Sequence, residues 1–394
     1  MRVERCRRIM DAMLPDEAGG LLCTARADIY YLTGTLANGL CWLPREGEPV
    51  LLVRKGAERC RLESPWTHVG SYASFGEVEA LCADAGSPLT SCVAVDKRAM
   101  PWNTALLLQA RLPGVCFLEG GGVTTRMRAV KTGYELERMR RAASLHRHVL
   151  TEAALRWLHP GMTERGIAHA LWDDSLACGH GGQTRVTHGE APFLGSVSAG
   201  VSGNYPVSSI SPTGAQGEHP AMPVMGYAGQ VWLSGQPLLV DTAFVTEGYH
   251  SDMTVTFWAG SPASVPDSVR RCHDACVCIL RRCAAMLRPG VAAVEVWREA
   301  ARMAAALHVT EGFMGLGGNY IPFIGHGIGL AMEEWPALAS ASDMLLELDM
   351  TIALEPKIGI PGMGMVGCEG VFRVSEQGGE ALYGDWTPEL LCCS

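Results

Sequence analysis

Apolar and polar positions follow two different rhythms along this chain. Up to about residue 120, short apolar runs are separated by turn-forming residues. Residues 18–24, 28–33, 40–43, 49–53, 91–95 and 115–118 read as strands, and residues 102–111 as a helix between the last two. The runs at 40–43 and 49–53 flank Pro44-Arg-Glu-Gly47 and predict a hairpin. This mixture predicts a small α/β domain. Gly120, Gly121 and Gly122 then predict its boundary, because consecutive glycines gain little from regular structure, giving domains 1–122 and 123–394.

From Lys131 the spacing lengthens to that of amphipathic helices. Leu136, Met139, Ala143 and Leu145 form one apolar face, and Val149, Ala153, Leu155 and Leu158 form a second, up to the break at Pro160-Gly161. A third helix is expected to start at Thr163 with Glu164 and to bury Ile167, Ala168, Leu171 and Leu176. Beyond it, strand-like runs at 237–244, 253–258, 351–354 and 370–374 alternate with helices at 265–287 and 294–307. That order predicts an α+β domain built on an antiparallel sheet.

Composition narrows the partners. An apolar fraction of 48% over 394 residues supports well-packed domains, while 19% charged residues and a net charge of -9 give no electrostatic footprint for nucleic acid or an anionic membrane. A small peptide or other small molecule fits better as a partner. No apolar run reaches membrane-spanning length, and residues 1–10 lack the apolar core of a secretion signal, so a soluble cytoplasmic protein is expected. Fifteen scattered cysteines agree with free thiols in a reducing compartment. Cys272, Cys276, Cys278 and Cys283 lie in a helical stretch without knuckle glycines and read as space-filling residues rather than thiolate ligands.

Charge inside the apolar strands carries the candidate chemistry. Asp241 follows Pro237-Leu-Leu-Val240 and Glu355 follows Thr351-Ile-Ala-Leu354, where an unpaired carboxylate would be costly. Something positive should neutralise each, and metal is the simplest candidate. Asp252 lies eleven residues after Asp241 across a Gly248-Tyr249 turn, so adjacent antiparallel strands would bring both carboxylates, and Thr254, to one face. His326 stands between Gly325 and Gly327, which permit close backbone approach to a metal, and Glu355 and Glu369, fourteen residues apart, read as lying on adjacent strands. Four carboxylates and one imidazole suit two divalent cations, with manganese, cobalt or iron favoured over zinc by the oxygen-rich set.

The order Asp241, Asp252, His326, Glu355, Glu369 with the run Gly325-His-Gly-Ile-Gly-Leu330 resembles the pita-bread metallopeptidase superfamily of aminopeptidase P, prolidase, methionine aminopeptidase and creatinase. Tyr30-Tyr-Leu-Thr-Gly34 resembles the N-terminal creatinase-type domain, and Met127-Arg-Ala-Val-Lys131 the entry to the catalytic domain. The resemblance implies a curved antiparallel sheet whose two halves are related by a pseudo-twofold axis. It also implies a homodimer and hydrolysis of small peptides, including Xaa-Pro bonds, by a hydroxide bridging two metals. In that scheme Asp241 binds one metal, Asp252 and Glu369 bridge both, His326 and Glu355 complete the other, and Glu355 is the catalytic base.

Two positions depart from that pattern. Glu333 stands where such peptidases carry a second histidine, and Val207 follows Tyr205-Pro206 where a further histidine is expected. Both histidines normally donate hydrogen bonds, and losing one such donor costs roughly 10² to 10³ in rate. Glu333 is therefore a candidate catalytic residue or a binder of a substrate ammonium or guanidinium. Tyr205, His188 and His250 are candidate substrate-binding donors. The alternatives to a peptidase are a creatinase-like or lyase-type enzyme on a small non-peptide substrate, and a non-catalytic binding module.

Overall fold

A computed structural model of the chain describes residues 2–186, 194–207, 211–223, 225–385 and 387–393. Two compact units are present, Met1–Arg128 and Ala129–Ser394. Their division falls after the glycine run, because Gly121–Ala129 are helical rather than a free hinge.

The first unit is built on a six-stranded mixed sheet. Its strands lie in the order His68–Ser71, Val50–Val53, Gly39–Pro44, Gly20–Cys23, Cys92–Val95 and Cys116–Glu119. The expected hairpin is present as antiparallel Gly39–Pro44 and Val50–Val53. Leu22, Leu40, Trp42, Val50, Leu52, Val93 and Val95 pack with Val78, Cys82, Leu108 and Leu112 from the covering helices. One expected strand is instead helix: Arg26–Thr33 coils and stops at Gly34, whose φ of 78° lets its N–H reach the Tyr30 carbonyl. Tyr30, Tyr31 and Thr33 favour strands, yet burying Ile29 and Leu32 on one face and pairing buried Asp28 with Arg128 at 3.0 Å override that preference.

The second unit opens with the helix Gly133–His148, started by a capping box in which Thr132 and Glu135 satisfy each other's backbone N–H groups. The expected second helix continues directly from it through a π-turn at Val149–Ala153 and a short turn at Ala154–Arg156. Thr163 caps Glu164–Ala177 as expected, and Ile167, Ala168 and Leu171 are buried. Leu176 is not; it is 45% exposed, because the core-facing position one turn after Leu171 is Ser175, whose hydroxyl donates to the Leu171 carbonyl. Cys276 and Cys283 fill the buried side of Asp267–Ala285, whereas Cys272 and Cys278 do not, and all fifteen cysteines are free.

Two sheets carry the candidate ligands. One runs Leu391–Cys393, Tyr249–Ala259, Pro237–Thr246, Gly195–Ala199. The other is antiparallel throughout, in the order Glu334–Ala339, Phe323–Gly327, Thr351–Leu354, Gly370–Ser375, Gly378–Ala381. A two-stranded ribbon, Lys357–Ile360 with Gly364–Gly367, connects two strands of the second sheet. Nearly every residue of Pro237–Thr246 and Tyr249–Ala259 is buried on both faces, which explains their continuous apolar runs.

Candidate metal centre

The first two aspartates are placed by hairpin register. Asp241 lies opposite Thr254 and Ala243 opposite Asp252, so the period-two alternation puts Asp241, Asp252 and Thr254 on one face. The connecting turn is Glu247-Gly248, both with positive φ, which matches the twist of a tight hairpin. Asp241 is then held by hydroxyls. Thr213 Oγ1 donates to its Oδ2 at 2.6 Å, and Thr254 Oγ1 lies 3.0 Å from its Oδ1 and 2.7 Å from Glu369 Oε2. Thr213 carried no signal in the sequence, since it acts from a loop outside every periodic segment.

The second sheet supplies the other three. Leu354 pairs with Gly370, so Glu355 and Glu369 sit just beyond the last rung of the two strands, where the ribbon departs. His326 is mid-strand, paired with Ala353 on one side and Ala337 on the other. Its flanking glycines serve the sheet rather than a metal: a Cβ on Gly325 would stand 2.1 Å from the Ala353 carbonyl oxygen, and one on Gly327 2.2 Å from that of Trp335. His326 Nδ1 lies 3.0 Å from the Gly327 carbonyl, which can only accept, so Nδ1 carries a proton. Nε2 is left facing Glu355 Oε1 at 3.5 Å and Asp252 Oδ2 at 3.8 Å. One ligand atom each from Asp252, His326 and Glu369 lies within 4.8 Å of the others, which fits a single divalent ion, with Glu355 alongside.

The position of Lys357 was not anticipated. Its side chain is 1% exposed, and Nζ lies 2.7 Å from Glu355 Oε2, 3.1 Å from Glu369 Oε2 and 3.1 Å from Asp241 Oδ2. The sequence carried a sign of it: a lone lysine in Pro356-Lys-Ile-Gly-Ile360 is as costly to bury unpaired as the carboxylates are, and it stands two residues from Glu355. The expectation of two cations balancing four carboxylates left this ammonium out of the count.

Packing so many carboxyls together shifts their proton affinities. Burial first, and then the Asp241 charge, pushes the Asp252 carboxyl up to about 7. Burial, followed by Asp252, raises Glu369 well above the usual carboxylate range. At Asp241 burial works in the same upward direction but is outweighed by Lys357 and the Thr213 hydroxyl, and its pKa is lowered. Burial opposes the charge on His326 and Lys357, yet the facing carboxylates raise both. These are the electrostatics of a pocket that gains by holding a cation.

The remaining sequence candidates fall outside that cluster or beside it. Glu333 is partly buried, and its charge contributes to the raised proton affinity of His326. His250 is fully buried with both ring nitrogens on backbone, Nε2 accepting from Arg185 N–H at 2.9 Å and Nδ1 at 3.0 Å from the Gly329 carbonyl. It is a structural pin for the loop after His326 rather than a substrate donor. Tyr205 is 46% exposed, and its carbonyl accepts from Asn319 Nδ2. His188 lies outside the described residues.

Comparison with known proteins agrees with the geometry. The model of metallopeptidase family M24 matches residues 137–376, and that of the creatinase/prolidase N-terminal domain matches residues 2–130. Among curated relatives, the probable dipeptidase PepE of Mycobacterium tuberculosis is 26% identical over 373 residues, covering 91% of this chain and 88% of its own. Among solved structures, the dipeptidase PepE from Mycobacterium ulcerans superposes with a TM-score of 0.76 at 25% identity, covering 99% of this chain and 96% of that one. The Xaa-Pro dipeptidase from Bacillus anthracis shares the fold with a TM-score of 0.80 at 21% identity, covering 99% of each chain.

Proposed function

The chain belongs to metallopeptidase family M24, and from that premise we propose that it is a metal-dependent hydrolase of small peptides, with dipeptides as its substrate class. The observation that carries this reading is the convergence of Asp252, His326 and Glu369 within 4.8 Å, with Glu355 Oε1 3.5 Å from the free His326 nitrogen. These four residues would hold a divalent ion, and the oxygen-rich set with one imidazole favours manganese, cobalt or iron over zinc. When bound, such an ion supplies polarisation of the peptide carbonyl and a lowered pKa for water. Glu355, beside that position and oriented by Lys357 through its Oε2, is the proposed base.

Glu333 gives the reading its specificity. An ionised carboxylate donates no hydrogen bond, so it does not replace the histidine donor of peptidases; it suits the α-ammonium of a dipeptide instead. The names of the similar proteins, a dipeptidase and an Xaa-Pro dipeptidase, support this substrate class. A homodimer and a cytoplasmic location belong to the same proposal. Among the described residues no helix is long and apolar enough to cross a membrane.

The test is a panel of dipeptides, with and without proline in the second position, assayed with protein loaded with manganese or cobalt. Chelator-sensitive turnover of at least one dipeptide is expected. Failure to cleave any of them would overturn the proposal and leave a lyase-type or creatinase-like reaction on a small cationic substrate as the reading to pursue.

A further inference from the structure

We infer that the Lys357 ammonium is a resident cation standing in for one of two metal ions, so that this centre takes a single divalent ion, held by Asp252, His326, Glu355 and Glu369. The single-ion part rests on the metal-dependent reading above. The lysine part stands on contacts alone.

The Lys357 ammonium donates to Glu355 Oε2 at 2.7 Å and to Glu369 Oε2 at 3.1 Å, and it makes an ion pair with Asp241 Oδ2 at 3.1 Å. Three of the four carboxylates are thus in contact with the protein's own cation. The same contacts use up Asp241 as a metal ligand. Its Oδ2 accepts from Thr213 and is ion-paired with Lys357 Nζ at 3.1 Å, and its Oδ1 faces the Thr254 hydroxyl. By contrast, His326 Nε2 faces Glu355 Oε1 at 3.5 Å and Asp252 Oδ2 at 3.8 Å, and neither of those two oxygens is in contact with the ammonium. The pocket is thus divided into a half filled by the protein's own cation and a half of open ligand atoms.

The division is built into the backbone. Lys357 lies opposite Gly367 in the ribbon, and a Cβ at Gly367 would stand 2.6 Å from Lys357 Cγ, so the missing side chain is the space the lysine stem occupies. A second ion at Asp241 would touch the ammonium, and like charges at contact distance in a poorly solvated site repel strongly.

The experiment is a count of bound ions. The protein and the Lys357→Met variant, which keeps an unbranched stem out to Cε and removes the ammonium, are loaded with manganese, freed of excess, and measured by elemental analysis and electron paramagnetic resonance. The wild-type chain should hold one ion, with the spectrum of an isolated centre. Lys357→Met should hold two, with a spectrum broadened by exchange coupling. Two ions in the wild type, or no increment on substitution, overturns the inference. No ion in the wild type but one in the variant keeps the lysine as a stand-in cation and overturns metal dependence instead. Should Lys357→Met fail to fold, the wild-type count and spectrum still decide, since a coupled pair there is incompatible with the lysine filling one position.

Discussion

Single residues decide which version of a shared site this is. Glu333 places a carboxylate where a hydrogen-bond donor is expected, and its field already reaches His326. Replacing Glu333 with Gln removes the charge and keeps the shape, so the KM for a dipeptide should rise about tenfold, a loss of ~1.4 kcal/mol in binding, with kcat changed less. Equal losses in both constants would instead mean that Glu333 acts in the bond-breaking step. His326→Ala should abolish tight manganese binding, measured by calorimetry, because it removes the imidazole and leaves only carboxylates that compete for protons. The five ligand candidates were legible in the sequence because each is a charge in an apolar strand or a histidine between glycines. Lys357 obeyed the same rule, but a cation among anions was attributed to metal.

At the scale of elements, register and packing set the tolerances. Gly367→Ala would press a methyl group against the Lys357 stem and the Pro356 carbonyl, and overpacking of this kind costs about 1 to 3 kcal/mol, readable as a lower denaturation midpoint. Behind the aspartate hairpin, His146 lies between Thr242 Oγ1 at 3.0 Å and Ser251 Oγ at 3.3 Å, and burial lowers its pKa from 6.5 to about 3. A histidine held neutral in the fold but free to protonate when unfolded contributes stability above pH 6.5, which is lost as pH falls from about 6.5 toward about 3. His146→Gln should therefore flatten the acid limb of a stability–pH curve relative to wild type, and an unchanged slope would show that the imidazole titrates freely. The strand runs at 237–244 and 253–258, the helix start at Thr163 and the first-unit hairpin were readable from local pattern, whereas the extension of the second strand back to Tyr249 and the capping box at Thr132 came only with the structure. Arg26–Thr33 was not, because its strand-favouring residues are overruled by burial and by the Asp28–Arg128 pair one hundred residues apart.

For the whole molecule, the pocket of raised carboxyl pKa values couples metal binding to stability. A ligand that binds only the folded chain stabilises by about 2.7 kcal/mol at a hundredfold excess over Kd, so manganese should raise the melting temperature by a few degrees and chelator should reverse it. No shift with either would argue that the centre is structural and filled by Lys357 alone. The sequence by itself determined the two-part organisation, the α+β character of the second part, the five ligand candidates and the face shared by Asp241, Asp252 and Thr254, because periodicity, spacing and the cost of burying charge are local properties. Only the tertiary structure decided that Lys357 meets three carboxylates, that Thr213 reaches Asp241 from a loop, that His250 is consumed by backbone and that Gly325 and Gly327 serve neighbouring strands. Each depends on which segments pack against one another, and Thr213 donates to an aspartate twenty-eight residues away, a distance that no local rhythm encodes.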